Sequence, residues 1–354
     1  MNKIIFEVAN NFKLEGDISN ILPYGTGLIN NTFLIKTNKI DYILQKINNF
    51  VFKNPEKLME NIYLVTKYIK RKGGNSLELI KTKDNLLLKK NKSGYYRCYK
   101  MIKNSKSYDT VIDDKILFRV GKTISSFQNL LKDYDINKIS TTIPNFHDLK
   151  FRYYELINTF KVSNLQKKEE VKELFYQIIK EYKEEIKLSN IIEKGLIEKR
   201  ICHYDTKLNN FLFLENKKDC LIDLDTVMPG ISIFDFGDCA RNVLTDIKED
   251  ESDAFIKLNF KHFAYLVIGY LSIGKNYLSN IEINNLVNSI KLISLELSIR
   301  FLTDYLNDNI YFKIDYEKHN LKRSLCQFNI FKNVKENSFI LNNIVINIYQ
   351  RINN

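Results

Sequence analysis

The strongest constraint on the fold of this chain is the stretch at residues 201–237, ICHYDTKLNNFLFLENKKDCLIDLDTVMPGISIFDFG. Its centre is a short apolar hairpin, and a hairpin brings the segments at its two ends together. Polar residues flank the hairpin on both sides: Asp205, Lys207 and Asn210 before it, Asp223 and Asp225 after it. We therefore expect both groups to border one site.

This spacing favours phosphoryl transfer. Such a site needs a carboxylate for the hydroxyl proton, oxygen ligands for Mg²⁺ and a cation near the moving phosphoryl group. We predict that Asp205 is the base and that Lys207 is the cation. We predict that Asn210 and Asp223 bind Mg²⁺, and that Asp225, on the same face of the strand as Asp223, either supports a metal ligand or contacts a second metal ion. The alternative is a polar turn with exposed acidic residues.

Two further residues of the stretch are expected to support the site. His203, two residues before Asp205, is expected to brace the loop by hydrogen bonding. Asp235-Phe236-Gly237 has the same sequence as the metal-binding D-F-G motif of protein kinases. However, Asp223 follows an apolar strand directly, whereas Asp235 follows Pro229-Gly230 and a further loop. We assign the metal to Asp223 and loop support to Asp235.

The first hundred residues have the pattern of a strand-rich lobe with a single helix. A glycine turn at residues 25–27 separates the first two strands, and Asn54-Pro55 is typical of a helix start. The predicted strands cover residues 18–24, 29–36, 41–47, 77–81, 86–89 and 95–102.

Residues 103–110 are polar and without periodicity, so we expect them to connect two lobes. Helical periodicity dominates after them, with one helix opened by Ser163 and Gln166 in a capping box or starting nearer Val171, and with others at residues 253–271 and 283–306. The sequence thus predicts an α+β fold with an antiparallel N-terminal lobe at 1–103 and a mainly helical lobe at 104–354.

Composition narrows the possible classes of protein. The formal charge is +12, from 54 Lys and Arg against 42 Asp and Glu. The lysines are spread along the chain without an arginine tract, so we expect no nucleic-acid partner, although binding through a basic surface is an alternative. The five cysteines form no C-x-x-C pair, and no apolar run has the length of a membrane span. We expect a cytoplasmic protein without a membrane partner.

Several longer phrases carry a resemblance to a known family: YGTGLINNTF, YILQKIN, VFKNPEKLMENI, TIPNFHD, HYDTKLNN, IDLDTVMPG, DFGD and RFLTDYL. The chain resembles the aminoglycoside phosphotransferase and choline kinase superfamily, and most closely its N-acetylhexosamine 1-kinase branch. The resemblance runs from about residue 20 to about residue 330. It implies a bilobal protein-kinase-like fold and transfer of phosphate from ATP, with Mg²⁺, to the anomeric hydroxyl of N-acetylglucosamine or N-acetylgalactosamine.

The resemblance also implies ligand contacts. The turn at 25–31, with Gly25, Gly27 and Asn31, would cover the phosphates. Kinases place a lysine on the third strand, and here Gln45 or Lys46 can take that place. Only one of the two can face the nucleotide, because neighbouring residues of a strand point to opposite sides. The glutamate that usually pairs with this lysine is Glu56 or Glu60, and the sequence leaves both choices open.

The residues that would contact the sugar are Arg300, His147 and Arg97. Without the resemblance, Arg300 between Glu296 and Asp304 has the pattern of a solvated helical ion pair, and His147 can cap a turn. Two other functions remain open: a kinase of another small alcohol, such as choline, ethanolamine or an aminoglycoside, and a catalytically silent nucleotide-binding module. The preferred hexosamine and the oligomeric state are open as well.

Overall fold

A computed structural model describes residues 2–25, 29–215, 218–245, 247–252 and 256–353. The chain divides into two compact units. The first unit comprises Met1–Lys106, Asp133–Ile143 and Leu212–Pro229, and the second comprises Ser107–Lys132, Pro144–Phe211 and Gly230–Asn354. A single boundary after residue 103 stays a prediction.

The described residues form α-helices and β-strands. The α-helices are α1 (Asn2–Ala9), α2 (Pro55–Arg71), α3 (Asp114–Leu131), α4 (Leu149–Val162), α5 (Leu165–Glu193), α6 (Ser232–Val243), α7 (Phe260–Gly274), α8 (Asn280–Asn284), α9 (Leu286–Leu306), α10 (His319–Glu336) and α11 (Ser338–Asn353). The strands are β1 (Ile18–Pro23), β2 (Asn31–Thr37), β3 (Tyr42–Ile47), β4 (Leu79–Ile80), β5 (Lys89–Asn91), β6 (Gly94–Lys100), β7 (Ser105–Lys106), β8 (Lys199–Cys202), β9 (Phe211–Leu214), β10 (Cys220–Leu221) and β11 (Met228–Ile231).

An antiparallel sheet is the frame of the first unit. Its strands run in the order β1-β2-β3-β6-β4, and β5 also pairs with β6. A three-stranded sheet follows the order β10-β9-β7, and β11 pairs with β8. The predicted mixed α+β fold with a small antiparallel sheet is confirmed. Each strand predicted in the first hundred residues overlaps an observed one.

One face of this sheet packs on the helix α1, which the sequence pattern did not predict. Ile5, Val8 and Phe12 lie against Tyr42 and Leu44 in a buried apolar cluster. The opposite face of β3 carries Gln45, because side chains alternate along a strand. That second face carries Gln45 between the apolar side chains of Ile43 and Ile47.

The helix α2 begins as its sequence predicts. Asn54 Oδ1 accepts a hydrogen bond from the backbone N–H of Lys57, and Pro55 occupies the first helical position, where its missing N–H costs nothing. Leu58, Met59 and Ile62 form part of its buried face. Met59 of this face contacts Arg97 on the side of the sheet that carries Gln45.

The second unit is helical and is built around the buried helix α9. The helices α3 and α7 approach closely because each has a glycine at the contact. A Cβ on Gly121 would lie 2.2 Å from the backbone oxygen of Leu266, and one on Gly269 would lie 2.1 Å from that of Phe118. None of the helices in the described part of the chain combines the length and apolarity of a membrane span.

Three local expectations were wrong. The helix α5 begins after Asn164, whose Oδ1 accepts from the Lys167 N–H, so the cap is neither Ser163 nor a residue near Val171. Asp223 has a left-handed backbone (φ +58°) and opens a 3₁₀ turn, so Asp223 and Asp225 do not share a strand. Asp235 lies in the helix α6 instead of a loop.

Candidate active site

The catalytic loop predicted at residues 203–210 follows the strand β8 in the second unit. Asn210 Nδ2 donates to the backbone oxygen of Asp205 at 2.8 Å and to its Oδ2 at 3.1 Å. Lys207 Nζ lies 3.4 Å from Asp205 Oδ1. Because the amide group donates through its nitrogen, the carbonyl oxygen of Asn210 is the atom suited to a cation. The structure thus brings the three predicted residues together.

The helix α6 fixes the backbone of this loop. Asp235 accepts hydrogen bonds from the N–H groups of His203 (3.1 Å) and Tyr204 (2.8 Å) and from Gln128 Nε2 (2.8 Å). Asp238 accepts from the Thr206 N–H at 2.7 Å. Asp235 therefore supports the loop, as expected, although it does so from a helix.

His203 also braces the loop. Its Nδ1 accepts from the Asp205 N–H at 3.2 Å, and its side chain is buried. Tyr204 has a left-handed backbone (φ +66°), which turns the chain between the two residues. The side chain of Asp205 consequently remains 27% exposed.

Two carboxylates in this part of the unit, Asp205 and Asp238, have cationic side chains beside them. The neighbouring carboxylate of Asp205 raises the pKa of Lys207. Burial raises the pKa of Asp235 above its ordinary value, despite its hydrogen bonds. Burial also works against ionised Asp238, but Arg241 and Lys207 outweigh it and hold the pKa of Asp238 below its ordinary value. Arg241 Nη2 contacts Asp238 Oδ1 at 2.6 Å.

A buried ion cluster lies around Glu296 elsewhere in the second unit. Glu296 Oε2 is 3.3 Å from His147 Nδ1, and Glu296 Oε1 lies 3.6 Å from Arg152 Nε and 3.7 Å from Arg300 Nε. Burial raises the pKa of Glu296, but Arg300, His147 and Arg152 outweigh burial and lower it to about 2. The alternative of a solvated ion pair is therefore wrong, since Arg300 is only 9% exposed and Asp304 is buried.

His147 and Arg300, both expected at the acceptor, are oriented by this cluster. His147 has a left-handed backbone (φ +55°), and its Nε2 lies 3.4 Å from the backbone oxygen of Tyr204. The Arg300 guanidinium lies 4.9 Å from the ring centre of Phe146 and 5.4 Å from that of Phe312. The ion pair thus holds a guanidinium among aromatic rings.

The residues expected at the nucleotide belong to the first unit. Gln45 and Lys46 face opposite sides of β3, as predicted: Gln45 contacts Thr32 and Arg97, and Lys46 lies over Gly94. Gly25 has a left-handed backbone (φ +73°), whereas Gly27 lies outside the described residues. Asn31 begins β2, opposite Lys46 in register. Glu56 and Glu60 are both exposed on α2.

The carboxylate pair after the hairpin also belongs to the first unit. Asp225 is buried, with Oδ1 in contact with Arg97 Nη1 and Oδ2 accepting from Asn30 Nδ2 at 2.6 Å. Within the described ranges there is no group of three or more His, Cys, Asp or Glu side chains able to hold a metal. A magnesium site of one carboxylate, one amide and phosphate oxygens does not need such a group.

The comparisons with known proteins agree with these features. The family model described as "Phosphotransferase enzyme family" matches residues 20–266. The chain belongs to this family. It is a phosphotransferase of the aminoglycoside phosphotransferase and choline kinase type.

Solved structures with the same fold have low sequence identity. The aminoglycoside phosphotransferase of Alicyclobacillus acidocaldarius is 11% identical, with a TM-score of 0.63, over 98% of this chain and 96% of that one. The choline kinase of Cryptosporidium parvum is 12% identical, with a TM-score of 0.63, over 100% of both chains. A spectinomycin phosphotransferase in complex with ADP and spectinomycin is 16% identical, with a TM-score of 0.57, over 96% and 98%.

Sequence reasoning did not single out three residues that organise these sites: Asn30, Gln128 and Asp238. Asn30 and Asp238 lie within the phrases YGTGLINNTF and DFGD, so the resemblance contained a signal for them. Gln128 contacts Asp235 across 107 positions of sequence, and no local pattern marks it. Its buried amide is recognisable only from the fold.

Proposed function

We propose that this protein transfers the γ-phosphoryl group of ATP to the anomeric hydroxyl of an N-acetylhexosamine, N-acetylglucosamine or N-acetylgalactosamine. The observation that carries phosphoryl transfer is the loop in which Asn210 and Lys207 both contact Asp205. Family membership supports the same reaction type. The sugar is supported by the phrases TIPNFHD, DTVMPG and RFLTDYL and by the environment of Arg300.

In this proposal Asp205 orients the anomeric hydroxyl and accepts its proton. The hydroxyl oxygen attacks the γ-phosphorus, the bond from that phosphorus to the β,γ-bridging oxygen breaks, and its electron pair leaves with ADP. Lys207 stabilises the charge on the transferred group. The transition state of phosphoryl transfer is loose, with little bonding to the attacking oxygen, so proton transfer to Asp205 comes late.

The nucleotide and the metal are assigned to the remaining predicted residues. Residues 1–103 form the lobe that covers ATP, with Gly25, Gly27 and Asn31 at the phosphates, and residues 104–354 form the lobe of the acceptor. Asn210 and Asp223 supply oxygen ligands to Mg²⁺, which neutralises charge on the phosphates when bound. Lys46 faces away from Gln45, so at most one of the two reaches the nucleotide.

Arg300 and His147 are assigned to the sugar. A binding site for a small polar molecule is lined by aromatic side chains with a few polar groups that fix orientation. Arg300 meets this description, since its guanidinium lies among Phe146, Tyr311 and Phe312. A fixed guanidinium also repels a cationic acceptor, which argues against choline.

The experiment is a measurement of ATP consumption with N-acetylglucosamine, N-acetylgalactosamine, galactose, choline, ethanolamine and an aminoglycoside. Phosphorus NMR of the product identifies the phosphorylated position. We expect turnover of an N-acetylhexosamine to its 1-phosphate, and its loss in the Asp205→Asn variant. Phosphate at the 6-position, or turnover of an amino alcohol without turnover of any sugar, would overturn the proposal.

A second candidate is a kinase of an amino alcohol or an aminoglycoside. The observation that favours it is the set of solved structures with this fold, which includes choline kinases and a spectinomycin phosphotransferase. The same panel of acceptors separates the two candidates. A silent nucleotide-binding module, in contrast, would bind MgADP and consume no ATP with any acceptor.

A further inference from the structure

The third strand β3 turns a glutamine, and not its lysine, toward the face of the sheet that carries Arg97. Protein kinases pair a lysine of their third strand with a glutamate of the neighbouring helix. Here the β3 residue on the polar face of the sheet is Gln45, whose Nε2 donates to Thr32 Oγ1 at 3.0 Å. Lys46 faces the other side, and both Glu56 and Glu60 are exposed. This strand and helix therefore do not supply the expected ion pair.

A cation nevertheless lies beside Gln45, and it comes from the strand β6. Arg97 is directly opposite Gln45 in the β3–β6 register, so both side chains lie on one face. Its Nε donates to Gln45 Oε1 at 2.9 Å, and its Nη1 contacts Met59 Sδ of α2 at 3.9 Å. The side chain is only 1% exposed. A fully buried arginine requires a carboxylate partner.

That partner is Asp225, which also holds a second segment. Arg97 Nη1 contacts Asp225 Oδ1, and Asn30 Nδ2 donates to Asp225 Oδ2 at 2.6 Å. Asn30 Oδ1 in turn accepts from the Asn48 N–H at 2.9 Å. Both carboxylate oxygens are thus engaged, so Asp225 joins Arg97 of β6 to Asn30, which directly precedes β2.

The same cation acts on Asp223, two residues before Asp225. Burial lowers the pKa of Arg97, but its interactions with Asp225, Tyr99 and Asp223 outweigh burial and raise it above its ordinary value. Arg97 therefore stays charged. Asp223 has a left-handed backbone at the start of a 3₁₀ turn, and the Arg97–Asp225 pair anchors the next residues of that turn.

We propose that Arg97 is a positioning residue that replaces the third-strand lysine: with Gln45 and Asp225, it holds the turn that presents Asp223 to Mg²⁺. The inference rests on the proposed function only in taking Asp223 as a ligand of nucleotide-bound Mg²⁺. It gives Arg97 and Asp225 a role in positioning, in place of the contacts with the sugar and the metal suggested by the sequence.

The test measures MgADP binding without an acceptor, by calorimetry of the full-length protein over a series of Mg²⁺ concentrations. We expect Arg97→Met to raise the Mg²⁺ concentration needed for half-maximal affinity about 10- to 100-fold, the usual effect of removing a group that orients a metal ligand. The matched control is Lys36→Met, which removes an exposed cation from the same sheet. The control is expected to bind as the wild type does.

A transplanted cation separates this role from a general loss of structure. Gln45→Lys combined with Arg97→Met moves the positive charge from β6 to β3. We expect this double variant to recover at least about half of the lost affinity on a logarithmic scale, since it restores a positive charge to the face of the sheet from which Arg97 reaches Asp225. A double variant whose Mg²⁺ dependence is the same as that of Arg97→Met would overturn the claim that Arg97 replaces the third-strand lysine.

A milder substitution covers the case in which Arg97→Met does not fold, as judged by circular dichroism and thermal melting. Arg97→Lys keeps the charge but cannot donate to Gln45 and Asp225 together, and we expect it to shift the Mg²⁺ dependence about threefold to tenfold. Folded Arg97 variants with wild-type Mg²⁺ dependence would refute the inference and leave the kinase proposal standing. Wild-type protein that does not bind MgADP would instead refute the kinase proposal.

Discussion

Replacing Glu296 by glutamine is expected to make the protein less stable at neutral pH and to remove part of its sensitivity to acid. Glu296 is fully buried, and its cationic neighbours lower its pKa from an ordinary 4.5 to about 2. A carboxylate with a lower pKa in the folded state than in the unfolded state stabilises the fold above the unfolded pKa. This stabilisation is lost as the pH falls through the folded pKa.

The magnitude follows from the two pKa values. Their difference, at about 1.4 kcal/mol for each unit of pKa, corresponds to about 3 kcal/mol of unfolding free energy at pH 7. About 1 kcal/mol of it is lost by about pH 3.5, most of the rest is lost between about pH 3.5 and about pH 2, and the small remainder is lost below about pH 2. Glutamine resembles the protonated form of Glu296, which already leaves the guanidinium of Arg300 buried without its carboxylate, so Glu296→Gln is expected to lose about 3 kcal/mol at pH 7.

The assay is urea denaturation of the wild type and the variant at several pH values between 7 and 3. We expect the difference in unfolding free energy to be largest at pH 7 and to narrow steadily below about pH 4.5. Glu169→Gln is the control, because Glu169 is 72% exposed and pairs with Lys172 on the surface. A difference between wild type and Glu296→Gln that stays constant down to pH 3 would refute the reasoning.

Three further predictions concern catalysis and packing. Asp205→Asn should lower kcat at least ~10²-fold in steady-state kinetics, because it removes a general base. Its MgADP affinity, measured by calorimetry, should be nearly unchanged. Near-normal turnover would exclude the role of Asp205 as the base. Asp235→Asn should lower kcat about 10-fold or more at an unchanged KM for ATP, because it weakens the acceptor of two loop N–H groups; a change confined to KM would contradict this. Gly121→Ala should lower the unfolding free energy by about 1–3 kcal/mol in thermal or urea denaturation, because its Cβ would meet the backbone of α7, whereas Lys122→Ala on the exposed side of α3 should have little effect.

The parts of the site that sequence predicts are those formed by neighbours along the chain. Asp205, Lys207 and Asn210 lie within one short loop, so their contacts follow from spacing alone. The cap of α2 is equally local, since Asn54 bonds the N–H of Lys57. These features depend on a few backbone angles and hardly on the remainder of the fold.

Contacts between distant residues could not be predicted in this way. Arg97 and Asp225 are 128 positions apart, and only the packing of the first unit shows that they form a pair. The helix α6 was not predicted, because Gly237 and the polar residues around it are typical of a loop sequence. In the structure Gly237 permits close packing on α9, since a Cβ there would lie 2.7 Å from the backbone oxygen of Ser289.

The arginine on β6 also bears on how inactive kinases are recognised from sequence. A search that requires a lysine on the face of the third strand that carries Gln45 would place this chain among the pseudoenzymes, because Lys46 lies on the other face. The buried positive charge is nevertheless present on the same face of the sheet, one strand away. The presence of this charge therefore has to be judged from its position in the folded protein. A sequence alignment detects it only when the charged residue lies on the same strand in both proteins.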